Sequence, residues 1–205
     1  MVVGLGTGTT AAYAIRAIGA RIAEGQIDIV AIPTSSASEK EAIAAGITLT
    51  SLADHPMVDL TIDGADEVDP DLNLIKGGGG ALWREKMVAQ ASARLVIVVD
   101  DAKPTERLGG RVVLPVEVSP FGWRPEAEYL DDMGAGVTLR RAGGGAEFVT
   151  DGGNWILDAA FKPIADAPVL AGRLARRAGV VEHGLFLGLA TDLLVAGPNG
   201  VEHRT

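Results

Sequence analysis

Four short apolar runs, each ending in a small polar loop, constrain the fold of this chain more than any other sequence feature. The runs cover residues 2–5, 27–32, 58–62 and 95–99. Helical patterns follow the first three runs, over about residues 11–24, 36–46 and 81–92. Strands that alternate with helices predict right-handed crossovers and a mostly parallel, Rossmann-like sheet. We therefore predict an α/β fold with helices packed on the sheet.

The polar loops after these runs are expected to meet at one edge of the sheet. They cover residues 6–10, 33–36, 63–66 and 100–103. The carboxyl ends of parallel strands lie at the same edge, and ligands bind beyond that edge in open α/β sheets. The spacing alone therefore predicts a ligand site formed by several loops.

The second part of the chain has a different pattern and predicts a smaller α+β domain. We predict short strands at 112–118, 137–140, 147–150 and 155–157, and helices near 126–133 and 165–178. The apolar run 185–195 could return to the first sheet. We predict an α/β catalytic domain formed by residues 1–110 and 186–205, and a small α+β domain formed by residues 111–185.

Composition excludes several classes of function. The 205 residues include no Cys and three widely spaced His, which excludes thiol chemistry and argues against a histidine-based zinc site. The net charge of −9 argues against nucleic-acid binding. The sequence has no apolar run long enough to span a membrane and no signal peptide at its first residues, so we expect a cytoplasmic protein without membrane partners.

Two loops could bind an anion, although each also has an ordinary structural explanation. The first contains Gly6, Thr7, Gly8, Thr9 and Thr10 and matches neither the dinucleotide fingerprint nor a Walker loop. It could hold an anion with backbone amides and hydroxyls, or it could be a tight strand-to-helix turn.

In the second loop, Ser35 and Ser36 could bind phosphate, but helix capping is the simpler interpretation. The spacing of Ser36 and Glu39 predicts a capping box there.

Acidic residues follow the third strand. We assign function to Asp63 and Asp66, because two acids three residues apart across a Gly-Ala bend would both face the ligand-binding edge. We interpret Glu67, Asp69 and Asp71 as parts of a solvated loop, which Asp favours.

Lys76 precedes four consecutive glycines, Gly77, Gly78, Gly79 and Gly80. A turn needs only one or two glycines, and each glycine costs conformational entropy on folding. The run therefore indicates that the backbone closely approaches a ligand. A flexible loop is the weaker alternative.

Glu85 falls within the apolar stripe of the third helical pattern, among Ala81, Leu82, Val88 and Ala89. A carboxylate in an apolar setting is costly, and desolvation would help it to act as a base. The alternative is an ion pair with Arg84, Lys86 or Lys103. Together these features favour proton transfer on a small phosphorylated metabolite without naming it.

Seven stretches in order resemble one family, the type A ribose-5-phosphate isomerases. They are GTGTT (6–10), TSSASEK (34–40), DGADEVD (63–69), KGGGGALWREK (76–86), DDAK (100–103), LPVEV (114–118) and TDGGNWILD (150–158). The glycine and serine loops are unspecific, whereas KGGGGALWREK after DGADE is highly specific. The match covers nearly the whole chain.

The resemblance implies interconversion of ribose 5-phosphate and ribulose 5-phosphate through an enediol(ate), without metal or cofactor, by a homodimer or homotetramer. It implies that Glu85 is the general base and that Asp63 and Asp66 bind hydroxyls and assist ring opening. Lys76 and the amides of the glycine run would stabilise the developing oxyanion. The resemblance also implies a set of groups that hold the sugar and its phosphate, namely Thr7, Thr9, Thr10, Ser35 and Lys103.

The resemblance has two departures and three competing hypotheses. Family members usually carry a helix of about 20 residues before the first strand, whereas this sequence starts at the strand, so we expect either a truncated start or a less covered sheet. Residues 118–145 match the family poorly, so the resemblance does not establish the contacts with a partner subunit that are expected in this region.

The competing hypotheses differ in what they require. A sugar-phosphate deaminase would release ammonia, a sugar-phosphate sensor would need neither Glu85 nor Lys76, and a coenzyme A transferase would bind coenzyme A.

Overall fold

The computed structural model describes residues 1–205, which form two compact units. The first unit comprises Met1–Ala65, Arg84–Lys103 and Gly188–Thr205, and the second comprises Asp66–Trp83 and Pro104–Leu187. The sequence-based division into an α/β catalytic domain, 1–110 with 186–205, and a small α+β domain, 111–185, stays a prediction. No helix is long and apolar enough to cross a membrane.

The first unit contains a six-stranded sheet. Its strands in spatial order are β13 (Gly200–Arg204), β12 (Asp192–Gly197), β6 (Leu95–Asp100), β3 (Leu60–Asp63), β1 (Val2–Leu5) and β2 (Val30–Pro33). All neighbouring pairs are parallel except β12 and β13, which form an antiparallel hairpin. The predicted α/β fold with a mostly parallel sheet is confirmed.

Helices α1 (Thr9–Ala23) and α2 (Ser36–Ala44) form the crossovers on either side of β2. Helix α1 buries one face, which includes Ala11 and Ile15, and Ile15 packs in a core that also contains residues of β1 and β2. Because only residues 6–8 separate β1 from α1, the amino end of α1 lies at the carboxyl end of β1. Helix α3 (Leu82–Gln90) precedes β6.

The second unit has two antiparallel sheets. The larger has the order β10 (Val180–His183), β7 (Leu114–Val118), β9 (Trp155–Ala160) and β8 (Gly136–Leu139). The smaller has the order β11 (Leu185–Phe186), β5 (Leu74–Ile75) and β4 (Glu67–Val68). Helices α4 (Trp123–Asp132) and α5 (Ala167–Leu174) complete the unit, and both contribute apolar residues to its core.

Three local predictions need correction. Helix α2 is capped by Ser35 rather than Ser36, since Ser35 has the extended backbone of an N-cap and its Oγ accepts from Ser38 N at 3.0 Å. The second strand begins at Val30 rather than at residue 27. The run 185–195 divides, because β11 pairs with β5 while β12 joins the six-stranded sheet.

The predicted strand at 147–150 is wrong. Only an isolated bridge between Arg141 and Glu147 forms there. The hydroxyl of Thr150 instead accepts from the backbone N–H groups of Gly152 and Asn154 and donates to Glu117. Such side-chain bonds compete with strand pairing and stabilise a turn.

Candidate active site

A buried carboxylate lies at the carboxyl edge of the six-stranded sheet, at the end of β3. Asp63 is 2% exposed, and its Oδ1 accepts from Thr7 N at 3.1 Å and from Gly64 N at 2.7 Å. A Cβ on Gly6 would lie 2.2 Å from the same oxygen. Gly6 is therefore needed because a side chain there would occupy the space of the carboxylate.

Hydroxyl groups from the loops after β1 and β2 meet at this edge. Thr7 Oγ1 donates to Ser35 Oγ at 2.7 Å and lies 2.9 Å from Thr34 Oγ1. Ser35 also caps α2, so the capping interpretation and the hydroxyl cluster both apply to it. Ser36 is the first residue of α2 and is half-buried.

The amino end of α1 begins at this same edge. Its N-cap is Gly8, which offers no side chain, and Thr9 and Thr10 are the first helical residues. Gly8 and Thr9 are exposed, and the first turn contains no acidic residue. Free N–H groups and the helix dipole favour an anion at such a position.

Lys103 follows β6 and is half-buried. Its backbone N–H donates to Asp100 O at 3.2 Å, which forms a tight turn at the end of the strand. Thus each of the four strands β1, β2, β3 and β6 contributes a loop to one sheet edge, as the sequence predicted.

Glu85 lies on the buried face of α3. It is 4% exposed, and its helical neighbours Leu82, Val88 and Ala89 are also buried. The predicted position of a carboxylate within the apolar stripe is confirmed. Lys86 is buried as well, which the sequence analysis did not anticipate.

In the second unit, Asp66 contacts the glycine loop. Asp66 N donates to Ile75 O at 2.8 Å, and Asp66 Oδ2 accepts from Gly78 N at 2.8 Å. Gly77 and Gly80 have φ angles of +102° and +83°, a region that favours glycine. The loop thus has a defined conformation whose middle, Gly78 and Gly79, is exposed.

Lys76 is buried at the end of β5, with 3% exposure. Its backbone N–H donates to Gly184 O at 2.9 Å. Its Nζ lies 5.6 Å from the centre of the Phe186 ring. Lys76 directly precedes the glycine loop, so its buried side chain belongs to the residue at the start of that loop.

One interpretation of the acidic segment is wrong. Glu67 is 1% exposed rather than solvated, and it accepts hydrogen bonds from the backbone N–H groups of Gly109, Arg111 and Val112. It is a structural residue. Asp71 is exposed, whereas Asp69 is half-buried and caps the turn through Asn73 N at 2.8 Å.

Sequence reasoning missed Arg140, whose guanidinium donates to two carbonyls of the glycine loop. Arg140 follows β8 in a region with few family-like features. No local pattern in the sequence indicates that this residue reaches residues 77 and 78.

Comparison with known proteins identifies the family of this chain. Residues 30–200 match the family model for ribose 5-phosphate isomerase A, also called phosphoriboisomerase A. The chain belongs to the ribose 5-phosphate isomerase A family. Members of this family interconvert ribose 5-phosphate and ribulose 5-phosphate, and the chain is accordingly an aldose–ketose isomerase.

Individual relatives agree with this assignment. Ribose-5-phosphate isomerase A of Chloroflexus aurantiacus is 57% identical, over 100% of this chain and 86% of the relative. A probable chloroplastic ribose-5-phosphate isomerase of Arabidopsis thaliana is 49% identical, over 100% of this chain and 77% of the relative. A solved D-ribose-5-phosphate isomerase in complex with phospho-erythronic acid is 38% identical and superposes with a TM-score of 0.97, covering 100% of this chain and 90% of that one.

Proposed function

We propose that this ribose 5-phosphate isomerase moves a proton between C1 and C2 of the open-chain sugar through an enediol(ate), with Glu85 as the general base. The burial of Glu85 on an apolar helix face carries this proposal, because a desolvated carboxylate is a stronger base than a solvated one. The step needs no external oxidant or reductant, because C1 is reduced as C2 is oxidised. In the direction of the ketose, the base moves the proton from C2 to C1, and a hydroxyl proton moves from O2 to O1.

Lys76 and the amides of Gly77, Gly78 and Gly79 are proposed to stabilise the negative charge that develops on the substrate oxygen. Lys76 is buried, so its charge acts in a medium of low dielectric constant. The Gly78 amide donates to Asp66, whereas the exposed Gly79 amide has no acceptor within the chain. Gly79 is therefore the amide most available to an oxyanion.

Asp63 and Asp66 are proposed to bind sugar hydroxyls and to assist ring opening. Both carboxylates are oriented by backbone N–H groups, Asp63 by Thr7 and Gly64 and Asp66 by Gly78. Fixed orientation lowers the entropic cost of binding hydroxyl groups in one arrangement.

For the phosphate we propose the amino end of α1, with Thr7, Thr9 and Thr10 beside it and Gly6 and Gly8 permitting its approach. Ser35, Ser36 and Lys103 lie in the neighbouring loops of the same sheet edge and would contribute further contacts. A solved relative binds phospho-erythronic acid. We expect this compound to bind in the proposed substrate site of this chain too, because its carboxylate resembles a planar enediolate.

The test is the rate of ribose 5-phosphate isomerisation by wild type and Glu85→Gln with a chelator present. We expect wild-type turnover to be insensitive to the chelator and kcat of the variant to fall at least about a hundredfold, because the amide cannot accept the proton. Glu128→Gln, an exposed position on α4, is the matched control. A folded Glu85→Gln enzyme with wild-type turnover would show that Glu85 is only structural.

We further propose a homodimer or homotetramer that functions in the cytoplasm. The family assignment supports the oligomer, whereas the chloroplastic relative shows that location varies among family members. Size-exclusion chromatography with light scattering measures the assembly, and a monomer at micromolar concentration would contradict the first part of this proposal.

A further inference from the structure

Arg140 contacts the glycine loop from within the same unit. Its Nη1 donates to Gly77 O at 2.9 Å and to Gly78 O at 3.1 Å. Two further N–H groups bind the carboxylate of Asp158 on β9, with Nε donating to Oδ2 at 2.9 Å and Nη2 to Oδ1. One side chain thus joins two consecutive loop carbonyls to a carboxylate on a rigid strand.

Peptide geometry turns these contacts into an orientation of the loop amides. In a trans peptide the C=O and the following N–H point in opposite directions. Because Arg140 binds the carbonyl of Gly77, the N–H of Gly78 points away from the guanidinium, and it reaches Asp66 Oδ2 at 2.8 Å. By the same reasoning, the bond to Gly78 O directs the N–H of Gly79 away from Arg140.

The surroundings hold the guanidinium in this position. The Arg140 side chain is 14% exposed, and that of Asp158 is 20% exposed. The guanidinium lies 5.7 Å from the centre of the Phe148 ring, and this ring occupies the space where a Cβ on Gly80 would lie, 2.4 Å from Phe148 Cε1. A planar fork with several donors is needed here, and lysine does not provide one.

We infer that Arg140, oriented by Asp158, is a positioning residue that sets the direction of the Gly78 and Gly79 amides for the isomerisation. The inference rests on the proposed role of these amides with the developing oxyanion. Arg140 acts through the loop and has no assigned contact with the substrate. Its positive charge also polarises both peptides, which makes their N–H groups better donors.

The experiment compares Arg140→Met, Arg140→Lys and the control Arg141→Met by steady-state kinetics. Arg141 is the adjacent residue, is 51% exposed and pairs with Glu147. We expect Arg140→Met to lower kcat by about a hundredfold with KM changed less than about threefold. The reason is that the hydrogen bond from the amide to the oxyanion stabilises mainly the transition state, and a misdirected amide no longer makes it. Arg140→Lys should lose nearly as much, and Arg141→Met should keep wild-type rates.

A second measurement reads the loop without using activity. In two-dimensional ¹⁵N NMR spectra of the full chain, the amide signals of Gly78 and Gly79 should shift in Arg140→Met and in Asp158→Asn, but not in Arg141→Met. Unchanged signals, or kcat of folded Arg140→Met within about threefold of wild type, would overturn the inference. If Arg140→Met does not fold, Asp158→Asn decides by the same two criteria. If only the proposed role of Glu85 as the base is wrong, Glu85→Gln will remain active, and the Gly78 and Gly79 amide signals will still shift in Arg140→Met.

Discussion

At the scale of single residues, the position of the Asp63 carboxylate depends on Gly6, which has no side chain to occupy the same space. Neighbouring strands β1 and β3 place Gly6 and Asp63 side by side, and Gly6 N donates to Ile62 O at 2.9 Å. Gly6 does not have a positive φ angle, so glycine is required there to leave room for the carboxylate and not for backbone conformation. The sequence suggested a turn or an anion loop here, and the contact with Asp63 follows only from strand register.

Gly6→Ala should reduce activity at least about tenfold, because the new methyl group would displace the Asp63 carboxylate. It should also lower the free energy of unfolding by about 1–3 kcal/mol, the usual cost of overpacking. Activity and urea denaturation measure the two effects. Gly143→Ala is the control, since nothing lies within 4 Å of a Cβ there, and full activity of Gly6→Ala would refute the steric explanation.

At the scale of secondary-structure elements, Glu67 joins the short strand β4 to the segment before β7. Its two carboxylate oxygens accept from Gly109 N at 2.6 Å, Arg111 N at 2.7 Å and Val112 N at 3.1 Å. Three backbone donors are thereby satisfied in a buried position. A two-residue strand has few ladder bonds of its own, so this side chain contributes much of its attachment.

Glu67→Gln should destabilise the protein, because the amide group would place its own donor opposite backbone donors. We expect a loss of about 2–3 kcal/mol in the free energy of unfolding, typical of unsatisfied buried groups. Urea denaturation measures this loss, with the exposed Glu106→Gln as control. A loss equal to that of the control would show that Glu67 contributes little to the fold.

Elements that depend on local pattern were predictable, and those that depend on distant partners were not. β1 was predicted with its observed bounds and β6 to within one residue, because continuous apolar runs specify buried strands. The strands β4, β5 and β11 are two residues each and exist only through pairing with one another. A sequence read locally has no signal for such pairing.

The candidate site shows the same limit. Glu85, Lys76 and the acids were identified because charged residues interrupt apolar patterns or flank glycines. Arg140 was missed because the contact joins residues 62 and 63 positions apart in the chain. Only the register of β8 against β9 brings its guanidinium to Asp158, and through it to the loop.

At the scale of the whole molecule, the buried carboxylate of Asp192 relates stability to pH. Asp192 at the start of β12 accepts from Thr191 Oγ1 at 2.7 Å and from Arg94 Nη2 at 2.9 Å, and His203 Nε2 lies 2.9 Å from it. The hydrogen bond from Thr191, then those from Arg94 and His203, lower the pKa of Asp192 from 3.8 to about 2.

Since the pKa in the folded state lies below that of the unfolded chain, the ionised Asp192 stabilises the fold above about pH 4. This contribution decreases as the pH falls from about 4 towards 2. Asp192→Asn should be about 1–3 kcal/mol less stable than wild type at pH 7, with a difference that shrinks below pH 4. Urea denaturation at several pH values, with the exposed Asp28→Asn as control, checks this, and a difference independent of pH would contradict it.

The hairpin of β12 and β13 affects how the protein behaves in concentrated solution. β13 forms one edge of the six-stranded sheet, and all its residues are exposed. A bare strand edge can template the addition of another chain and thereby start aggregation. Glu202 and Arg204 place a mutual ion pair along this edge, with Arg204 Nε 2.8 Å from Glu202 Oε1. Charged side chains disfavour the docking of a foreign strand, so the sheet carries its own protection against intermolecular β-pairing.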